Sequence, residues 1–279
     1  MLVELAIGDA YGAGFEYTPA PFVKTYNTLA GYVAHPRHGT PPGCYTDDTQ
    51  MSLAIVEAML TSEPWTPALL AEHFVNAFKR DPREGYASGF YGFLQEVQSG
   101  AEFLAKIRPH SNKSGAAMRA GPLGIYPTIA EVVERTTIQA KLTHDTPGGV
   151  NAALAATLMT HYCFYQLGPK AGLGEFLQAH VPGPWTKRWR GKVGSPGMES
   201  VHAAVTAVMA HDSLSALLEQ CIAFTVDVDT VAAMALCAAS CSAEVAQDLP
   251  AVLYDGLEDG PYGRRYLVEL EEALRRKVG

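Results

Sequence analysis

Two short clusters of carboxylates stand out because each lies just ahead of a strongly apolar segment. The first is TDDT at 46–49, and the second is DVDT at 227–230. Acidic and hydroxyl side chains cap helix N-termini, because they accept hydrogen bonds from free backbone N–H groups. Capping needs only one such side chain at each helix, and four neighbouring carboxylates repel one another when they leave water. The clusters therefore predict a bound divalent cation, with simple capping as the alternative.

The residue types favour a particular kind of metal. The candidate ligands Asp47, Asp48, Asp227 and Asp229 offer hard oxygen atoms with no histidine or cysteine interleaved. Such oxygens suit Mg²⁺, Mn²⁺ or Ca²⁺ better than zinc or copper. Glu16 adds a fifth carboxylate. Two divalent cations would reduce the combined charge to about −1, so the charge balance favours two ions over one.

The elements that must position these carboxylates are predicted to be helices. Apolar residues recur mostly at spacings of three and four, with alanine as the common spacer, and segments typical of strands are few. Two segments, 151–163 and 229–246, are apolar or small on all sides and predict central helices. Because no linker or change of composition divides the chain, we expect one compact all-α domain over residues 1–279. The helical periodicity covers residues 50–61, 68–79, 129–142, 148–167, 198–210, 213–224, 229–247 and 263–278.

Composition limits the classes of function. The 279 residues are 48% hydrophobic and 18% charged, so the chain can bury a substantial core. A formal net charge of −8 argues against a general nucleic-acid or anionic-membrane binder. The five cysteines lack paired metal-site spacing and are typical of reduced core residues, and the sequence shows no signal peptide or transmembrane segment. We therefore expect a cytoplasmic protein with no membrane partner.

One long Gly/Pro-rich segment, 168–196, contains a basic and aromatic stretch. Residues 185–192, WTKRWRGK, hold four cations and two of the three tryptophans of an acidic chain. One interpretation is that this stretch stacks on adenine or binds a nucleic-acid or acidic protein target. The other is a solvated loop whose tryptophans fold onto the surface. Long segments without periodicity are often functional, and further ones cover 31–43, 107–127 and 255–263.

Other common catalytic signatures are absent from the sequence. It contains neither a Walker A motif nor G-x-G-x-x-G, which argues against NTP hydrolysis and dinucleotide-dependent redox chemistry. Ser52 and Ser88 have no identifiable partner base, which argues against nucleophilic catalysis. The histidines form no HExxH motif, although His35 and His38 precede the first cluster and are predicted to lie at the rim of the site.

The order of motifs resembles that of the ADP-ribosylglycohydrolase family, which includes the dinitrogenase reductase-activating glycohydrolase. GDAYGAGFE is similar to the family's GDxxGxxxE, YTDDTQM to its TDDT, and DVDTVAAMA to its DxDT helix. Between them, REGYASG, GAAMRAGPLG and KLTHDTPGG resemble three further family segments. Six motifs in the same order over nearly the whole chain make the resemblance specific.

The resemblance implies an all-α fold that holds two Mg²⁺ or Mn²⁺ ions and hydrolyses the glycosidic bond between ADP-ribose and a target. The substrate would be an ADP-ribosylated protein or nucleic acid, the product ADP-ribose, and the protein a monomer. Glu16, Asp47 and Asp229 are the implied catalytic residues, with Glu16 handling the proton. The implied metal ligands are Glu16, Thr46, Asp47, Asp48, Asp227, Asp229 and Thr230. The implied substrate-binding residues are Gly85, Tyr86, Ser88, Gly89, Ser111, Asn112, Lys113, Ser114, Gly115, Met118 and His144.

The chain also departs from the family pattern. Val226 stands where the family usually has glycine, and a β-branched side chain there is predicted to crowd the metal site or to disfavour a positive φ. Ala87 replaces a customary glycine in a substrate loop. Two alternative functions follow. One is a metal-dependent hydrolase of free ADP-ribose derivatives or nucleotide sugars, and the other is a non-catalytic module that binds ADP-ribose or protects a target.

Overall fold

The computed structural model describes residues 1–278, and helices are the only extended regular elements in that range. The predicted all-α fold is therefore confirmed. Two 3₁₀ helices cover Gly121–Ile125 and Lys170–Gly172. The α-helices are α1 (Leu2–Ala13), α2 (Ala20–Tyr26), α3 (Asp47–Leu60), α4 (Pro67–Arg80), α5 (Ser88–Glu96), α6 (Gly100–Lys106), α7 (Gly115–Met118), α8 (Ile129–Lys141), α9 (Pro147–Phe164), α10 (Leu173–His180), α11 (Gly197–Ala210), α12 (Leu214–Ala223), α13 (Val228–Ala239), α14 (Ala251–Gly256) and α15 (Arg264–Val278).

Helix α13 lies at the centre of the fold, where it contacts α1, α9, α11 and α12. Every residue of α13 is buried, and α9 is buried along most of its length. These helices correspond to the segments 229–246 and 151–163, so their predicted central position is confirmed. Helix α13 ends at Ala239, however, and residues 240–250 are not helical.

Helix α1 is the main element that the helical periodicity does not predict. Its glycines Gly8 and Gly12 lower the helix propensity, yet they allow α1 to lie directly against α13. A Cβ atom at Gly8 would lie 2.6 Å from the carbonyl oxygen of Ala232, and one at Gly12 would lie 2.3 Å from Asp229 Cα. This close backbone contact places the end of α1 next to the start of α13.

The long Gly/Pro-rich segments are only partly irregular. The segment 107–127 contains α7 and a 3₁₀ helix, and 168–196 contains α10; none of these three helices was predicted. The five cysteines are free thiols. Across residues 1–278, we find no helix with the length and apolar character needed to span a bilayer.

Candidate active site

A cavity of about 570 Å³ opens beside the N-terminal ends of α3 and α13. Asp47 and Asp48 reach it from α3, and Asp227 and Asp229 reach it from the start of α13. Glu16, in the connection that follows α1, also lines it. The fold therefore brings all five carboxylates identified in the sequence to one cavity.

Two groups of carboxylate oxygens are close enough together to share a cation. Oxygen atoms of Asp9, Asp48 and Asp229 lie within 4.8 Å of one another, as do oxygen atoms of Glu16, Asp227 and Asp229. Asp229 belongs to both groups and links them into one centre. Within the described chain, Asp48 Oδ1 and Asp229 Oδ1 are buried without a hydrogen-bond partner. Such oxygens are costly to bury unless a cation lies beside them, so these residues fit a divalent cation.

Burial and mutual repulsion change the acidity of these side chains. Burial, followed by the charge of Asp227, raises the pKa of Glu16 to about 7. Burial raises the pKa of Asp227 itself to about 6. Burial, together with neighbouring carboxylates, raises the pKa values of Asp47, Asp48 and Asp229 well above their usual range. The protein alone therefore disfavours the fully ionised group, and a cation would stabilise it.

Asp9 is a residue of this centre that the sequence analysis did not single out. It is fully buried in α1 and accepts hydrogen bonds from the backbone N–H and the hydroxyl of both Thr46 and Thr49, the shortest at 2.6 Å. Asp9 thus caps α3 from a neighbouring helix. Thr46 is occupied in this way and does not line the cavity. The sequence signal for Asp9 is its place in GDAYGAGFE, the first of the motifs that carry the family resemblance.

Asp47 and Thr230 take different positions around the centre. Asp47 lines the cavity but belongs to neither group of clustered oxygens. Beside it, Gly85 has φ = 101°, and a Cβ atom there would lie 2.1 Å from Asp47 Oδ1, so the close approach of this loop requires glycine. The Thr230 hydroxyl donates a hydrogen bond to Asp48 Oδ2 at 3.4 Å.

Most of the predicted substrate-binding residues line the same cavity. Ser88 and Asn112 do not; both are exposed, and the Asn112 carbonyl accepts a hydrogen bond from the Gly197 N–H at 3.0 Å. Phe90 and Phe93 line the cavity without having been predicted, and their rings stack with centroids 5.9 Å apart. Aromatic residues three apart, directly after the GYASG loop, are the signal that could identify them. The predicted residues that line the cavity are Gly85, Tyr86, Gly89, Ser111, Lys113, Ser114, Gly115, Met118 and His144.

A chain of hydrogen bonds fixes the ring of His144. The buried Arg119 donates to the side chain and carbonyl of Gln139 and, at 2.8 Å, to the Thr143 hydroxyl. Thr143 Oγ1 lies 2.7 Å from His144 Nδ1. Within the described chain this hydroxyl has no other acceptor for its proton, so we assign that proton to a hydrogen bond with Nδ1 and the ring proton to Nε2. Burial, followed by the Arg119 charge, lowers the pKa of His144 to about 3, so the neutral ring holds its Nε2–H beside Gly115 at the cavity wall.

The histidines predicted at the rim contact the segment that carries Glu16. His35 Nε2 lies 2.7 Å from the Glu16 carbonyl oxygen, and His38 Nδ1 lies 4.0 Å from Glu16 Oε2. The guanidinium of Arg37 donates to the Tyr17 carbonyl at 2.7 Å. The loop 35–38 thus supports Glu16 from outside, although neither histidine lines the cavity.

The connection before α13 holds β-branched residues in a conformation that favours glycine. Thr225 has φ = 63° and Val226 has φ = 83°. The Val226 carbonyl accepts a hydrogen bond from the Tyr17 N–H at 2.8 Å, and the Val193 carbonyl accepts one from the Asp227 N–H at 3.1 Å. Val226 does not line the cavity, so it does not crowd it. Val226 does adopt a positive φ, which is the conformation expected to be unfavourable for a valine, and these hydrogen bonds hold it in that conformation.

Replacing Val226 with glycine is expected to raise the free energy of unfolding by about 1 kcal/mol. Relief of the strained φ outweighs the extra flexibility that glycine gives the unfolded chain. Val252→Gly is the control, because Val252 is exposed in α14, and we expect this change to lower the free energy of unfolding by about 0.5 kcal/mol. Urea denaturation measures the free energy of unfolding of both variants. A Val226→Gly protein less stable than wild type would show that the positive φ at Val226 does not destabilise the fold.

The tryptophans of the basic stretch are structural. Trp185 is fully buried, and its indole N–H donates to the Val181 carbonyl at 2.9 Å. Trp189 is half-buried and lies edge-on to His202, with ring centroids 5.4 Å apart. Neither tryptophan lines the cavity. Neither ring is therefore placed to stack on an adenine bound in the cavity, and both tryptophans anchor the loop.

Together, a fold of helices and a cavity lined by converging carboxylates define an all-helical protein with an acidic pocket suited to divalent cations. Its family is shown by comparison with known proteins. The model of the ADP-ribosylglycohydrolase family matches residues 1–279, and the chain belongs to this family.

Curated relatives and a solved structure agree with this assignment. The chain is 30% identical over 143 residues to ADP-ribosylhydrolase ARH3 of Xenopus tropicalis, and the match covers 48% of this chain and 41% of the relative. It is 28% identical over 170 residues to ADP-ribosyl-[dinitrogen reductase] glycohydrolase of Rhodospirillum rubrum, and the match covers 60% of this chain and 58% of the relative. The matches thus span about half the length of these relatives. A structure titled ADP-ribosylglycohydrolase-related protein complex has the same fold, with a TM-score of 0.74, 20% identity, and coverage of 100% of this chain and 96% of that chain.

Proposed function

We propose that this protein is a divalent-cation-dependent hydrolase that releases ADP-ribose from a modified protein or nucleic acid. The observation that carries the proposal is the position of Asp229, which belongs to both carboxylate groups and lines the cavity. Family membership and the names of the relatives support the reaction class. Because two oxygen groups share Asp229, we also propose two ions, Mg²⁺ or Mn²⁺.

Glu16 is the side chain best suited to move the proton. Its oxygens lie close to those of Asp227 and Asp229, and it is 18% exposed. Without cations, burial and then the charge of Asp227 raise its pKa to about 7; bound cations would lower that pKa, so its partial exposure is what lets it exchange a proton with water. When bound, the cations would neutralise the carboxylates and supply Lewis acidity at the anomeric centre.

The remainder of the cavity suits a nucleoside diphosphate. Its volume of about 570 Å³ is in the range of small-molecule sites. Lys113 and the hydroxyl of Ser111 offer a charge and a donor for phosphate oxygens, whereas the Ser114 hydroxyl donates to Asp227 Oδ2 at 3.5 Å. Phe90 and Phe93 offer apolar surface. The Nε2–H that we assign to His144 adds a fixed donor.

Release of ADP-ribose tests the proposal. Arginine-, serine- and nucleic-acid-linked substrates are each incubated with the protein in Mg²⁺, in Mn²⁺ and in chelator, and free ADP-ribose is quantified by chromatography. We expect cation-dependent release from at least one linkage. Binding of ADP-ribose without release from any substrate would instead support the non-catalytic alternative.

Without the Thr143 hydroxyl, His144 is expected to lose its preference for the Nε2-protonated tautomer. Thr143→Val keeps the side-chain shape but removes the donor to Nδ1, so we expect mixed Nδ1 and Nε2 protonation and about tenfold weaker ADP-ribose binding. Thr143→Ser retains the hydroxyl and should resemble wild type. Nitrogen-15 NMR of the imidazole distinguishes the tautomers, and calorimetry gives the affinity. An unchanged tautomer in Thr143→Val would contradict the hydrogen-bond chain.

A further inference from the structure

Exposed positive charge is unevenly distributed over this acidic chain. Elsewhere, exposed cations are either neutralised by ion pairs, as between Lys141 and Asp145 and between Arg265 and Asp259, or are unpaired but isolated along the chain, as are Lys24 and Lys79. The segment 187–192 differs, because it holds four exposed cations within six residues and none of them forms an ion pair with any residue of the described chain. These cations are Lys187, Arg188, Arg190 and Lys192.

The backbone of this segment is firmly held, although its charged side chains are exposed. The buried indole of Trp185 precedes it, and the Trp189 N–H donates to the Thr206 hydroxyl at 2.8 Å. His202 Nε2 lies 2.6 Å from the Lys187 carbonyl oxygen. An anchored backbone loses less conformational entropy when its side chains bind a partner. The segment is therefore pre-organised as a binding surface.

The segment leads directly to the wall of the carboxylate centre. Lys192 precedes Val193, whose carbonyl accepts the hydrogen bond from the Asp227 N–H. Two residues further on, Ser195 lines the cavity. Consecutive Cα atoms are about 3.8 Å apart, so Lys192 lies within about 12 Å of Ser195 along the chain.

Two further unpaired cations lie beside the cavity. Lys113 is exposed, lines the cavity and pairs through its backbone with Pro196. Arg37 is exposed and donates to the carbonyl of Tyr17, which also lines the cavity. Neither cation has a carboxylate partner in the described chain. Unpaired cations thus lie both on the segment and beside the cavity.

We propose that segment 187–192 is a docking surface for a nucleic-acid strand that carries the ADP-ribose. This inference rests on the proposed function, because a target that is cleaved at the carboxylates must extend out of the cavity beside them, where the segment ends at Lys192. A phosphate strand fits better than an acidic peptide, since its closely spaced charges release condensed counterions when cations replace them. The net charge of −8 repels such a strand from the rest of the surface, which confines binding to this patch.

Binding of an unmodified, fluorescein-labelled single-stranded DNA oligonucleotide tests the surface without relying on catalysis. Anisotropy titrations over a series of salt concentrations should give a slope of log K against log salt of about −3 for wild type, because each phosphate contact contributes roughly −0.7. The quadruple variant K187Q/R188Q/R190Q/K192Q should lose most of this slope and bind at least about tenfold more weakly at low salt.

A charge-matched control distinguishes the effect of removing this surface from the effect of changing the net charge. The variant K24Q/K141Q/R265Q/R276Q removes the same number of exposed cations elsewhere and should retain the wild-type slope and affinity. Equal losses in the two variants would overturn the proposal. Equally effective competition by poly-glutamate would also overturn it, in favour of an acidic protein partner.

Catalytic assays distinguish failure of this inference from failure of the proposed function. With an ADP-ribosylated oligonucleotide, we expect the quadruple variant to raise KM about tenfold, while its cleavage of the equivalent ADP-ribosylated mononucleoside stays at the wild-type rate. Equal KM values for wild type and variant would overturn the docking surface. Release from arginine- or serine-linked substrates alone would also overturn it while retaining the proposed function, whereas no release from any substrate would remove the proposed function.

Discussion

Replacing Asp229 with asparagine is expected to stabilise the metal-free protein and to abolish its response to Mg²⁺ or Mn²⁺. Asparagine keeps the shape of the side chain but removes one charge from a buried group of carboxylates, which should raise the free energy of unfolding in chelator by about 1 kcal/mol. The same change removes the ligand that both oxygen groups share. We therefore expect no cation-induced rise in melting temperature and a fall of about 10³-fold in ADP-ribose release.

Differential scanning fluorimetry in chelator and in excess cation measures the first two effects. Asp255→Asn is the matched control, because Asp255 is 78% exposed and pairs only with Arg264 in the described chain. This control should keep the wild-type response to cations and the wild-type rate. An Asp229→Asn protein that still gains stability from Mg²⁺ and Mn²⁺ would show that Asp229 is not a ligand.

The carboxylates of the centre could be predicted from the sequence because their chemistry is local. The TDDT and DVDT clusters each combine acids and hydroxyls at a helix start, and the sequence places Asp48 and Asp229 there without knowledge of the fold. Asp9 is different, because its function depends on partners in another helix. It accepts hydrogen bonds from Thr46 and Thr49 across the contact between α1 and α3, and nothing in its own neighbourhood in the sequence indicates these donors.

Features that depend on packing could not be predicted in the same way. The composition of 185–192 leaves open whether its tryptophans bind a target or fold onto the surface, and the complete burial of Trp185 depends on packing that no local pattern reveals. Likewise, the LTH motif identifies His144, whereas its tautomer depends on Arg119, which lies far away in the sequence. The helical periodicity predicts most long helices but misses α1, because Gly8 and Gly12 interrupt the apolar pattern.

Replacing Gly12 with alanine is expected to destabilise the protein and disturb the centre together. A Cβ atom at Gly12 would lie 2.3 Å from Asp229 Cα and 2.7 Å from Asp229 N, so α1 and α13 must move apart. Overpacking of this kind, between two backbones that cannot rotate away, should lower the free energy of unfolding by about 3 kcal/mol. The same movement separates Asp9 on α1 from Asp229 on α13, so the cation-induced rise in melting temperature should also decrease.

Gly92→Ala provides a control for helix propensity. Gly92 lies within α5, and no heavy atom lies within 4 Å of a Cβ atom placed there, so alanine should raise the free energy of unfolding by about 0.5 kcal/mol and leave the cation response unchanged. Urea denaturation and fluorimetry with Mg²⁺ compare the two variants. If Gly12→Ala were as stable as Gly92→Ala, α1 and α13 would have to tolerate a wider spacing, and the glycines of α1 would no longer explain how Asp9 reaches Asp229.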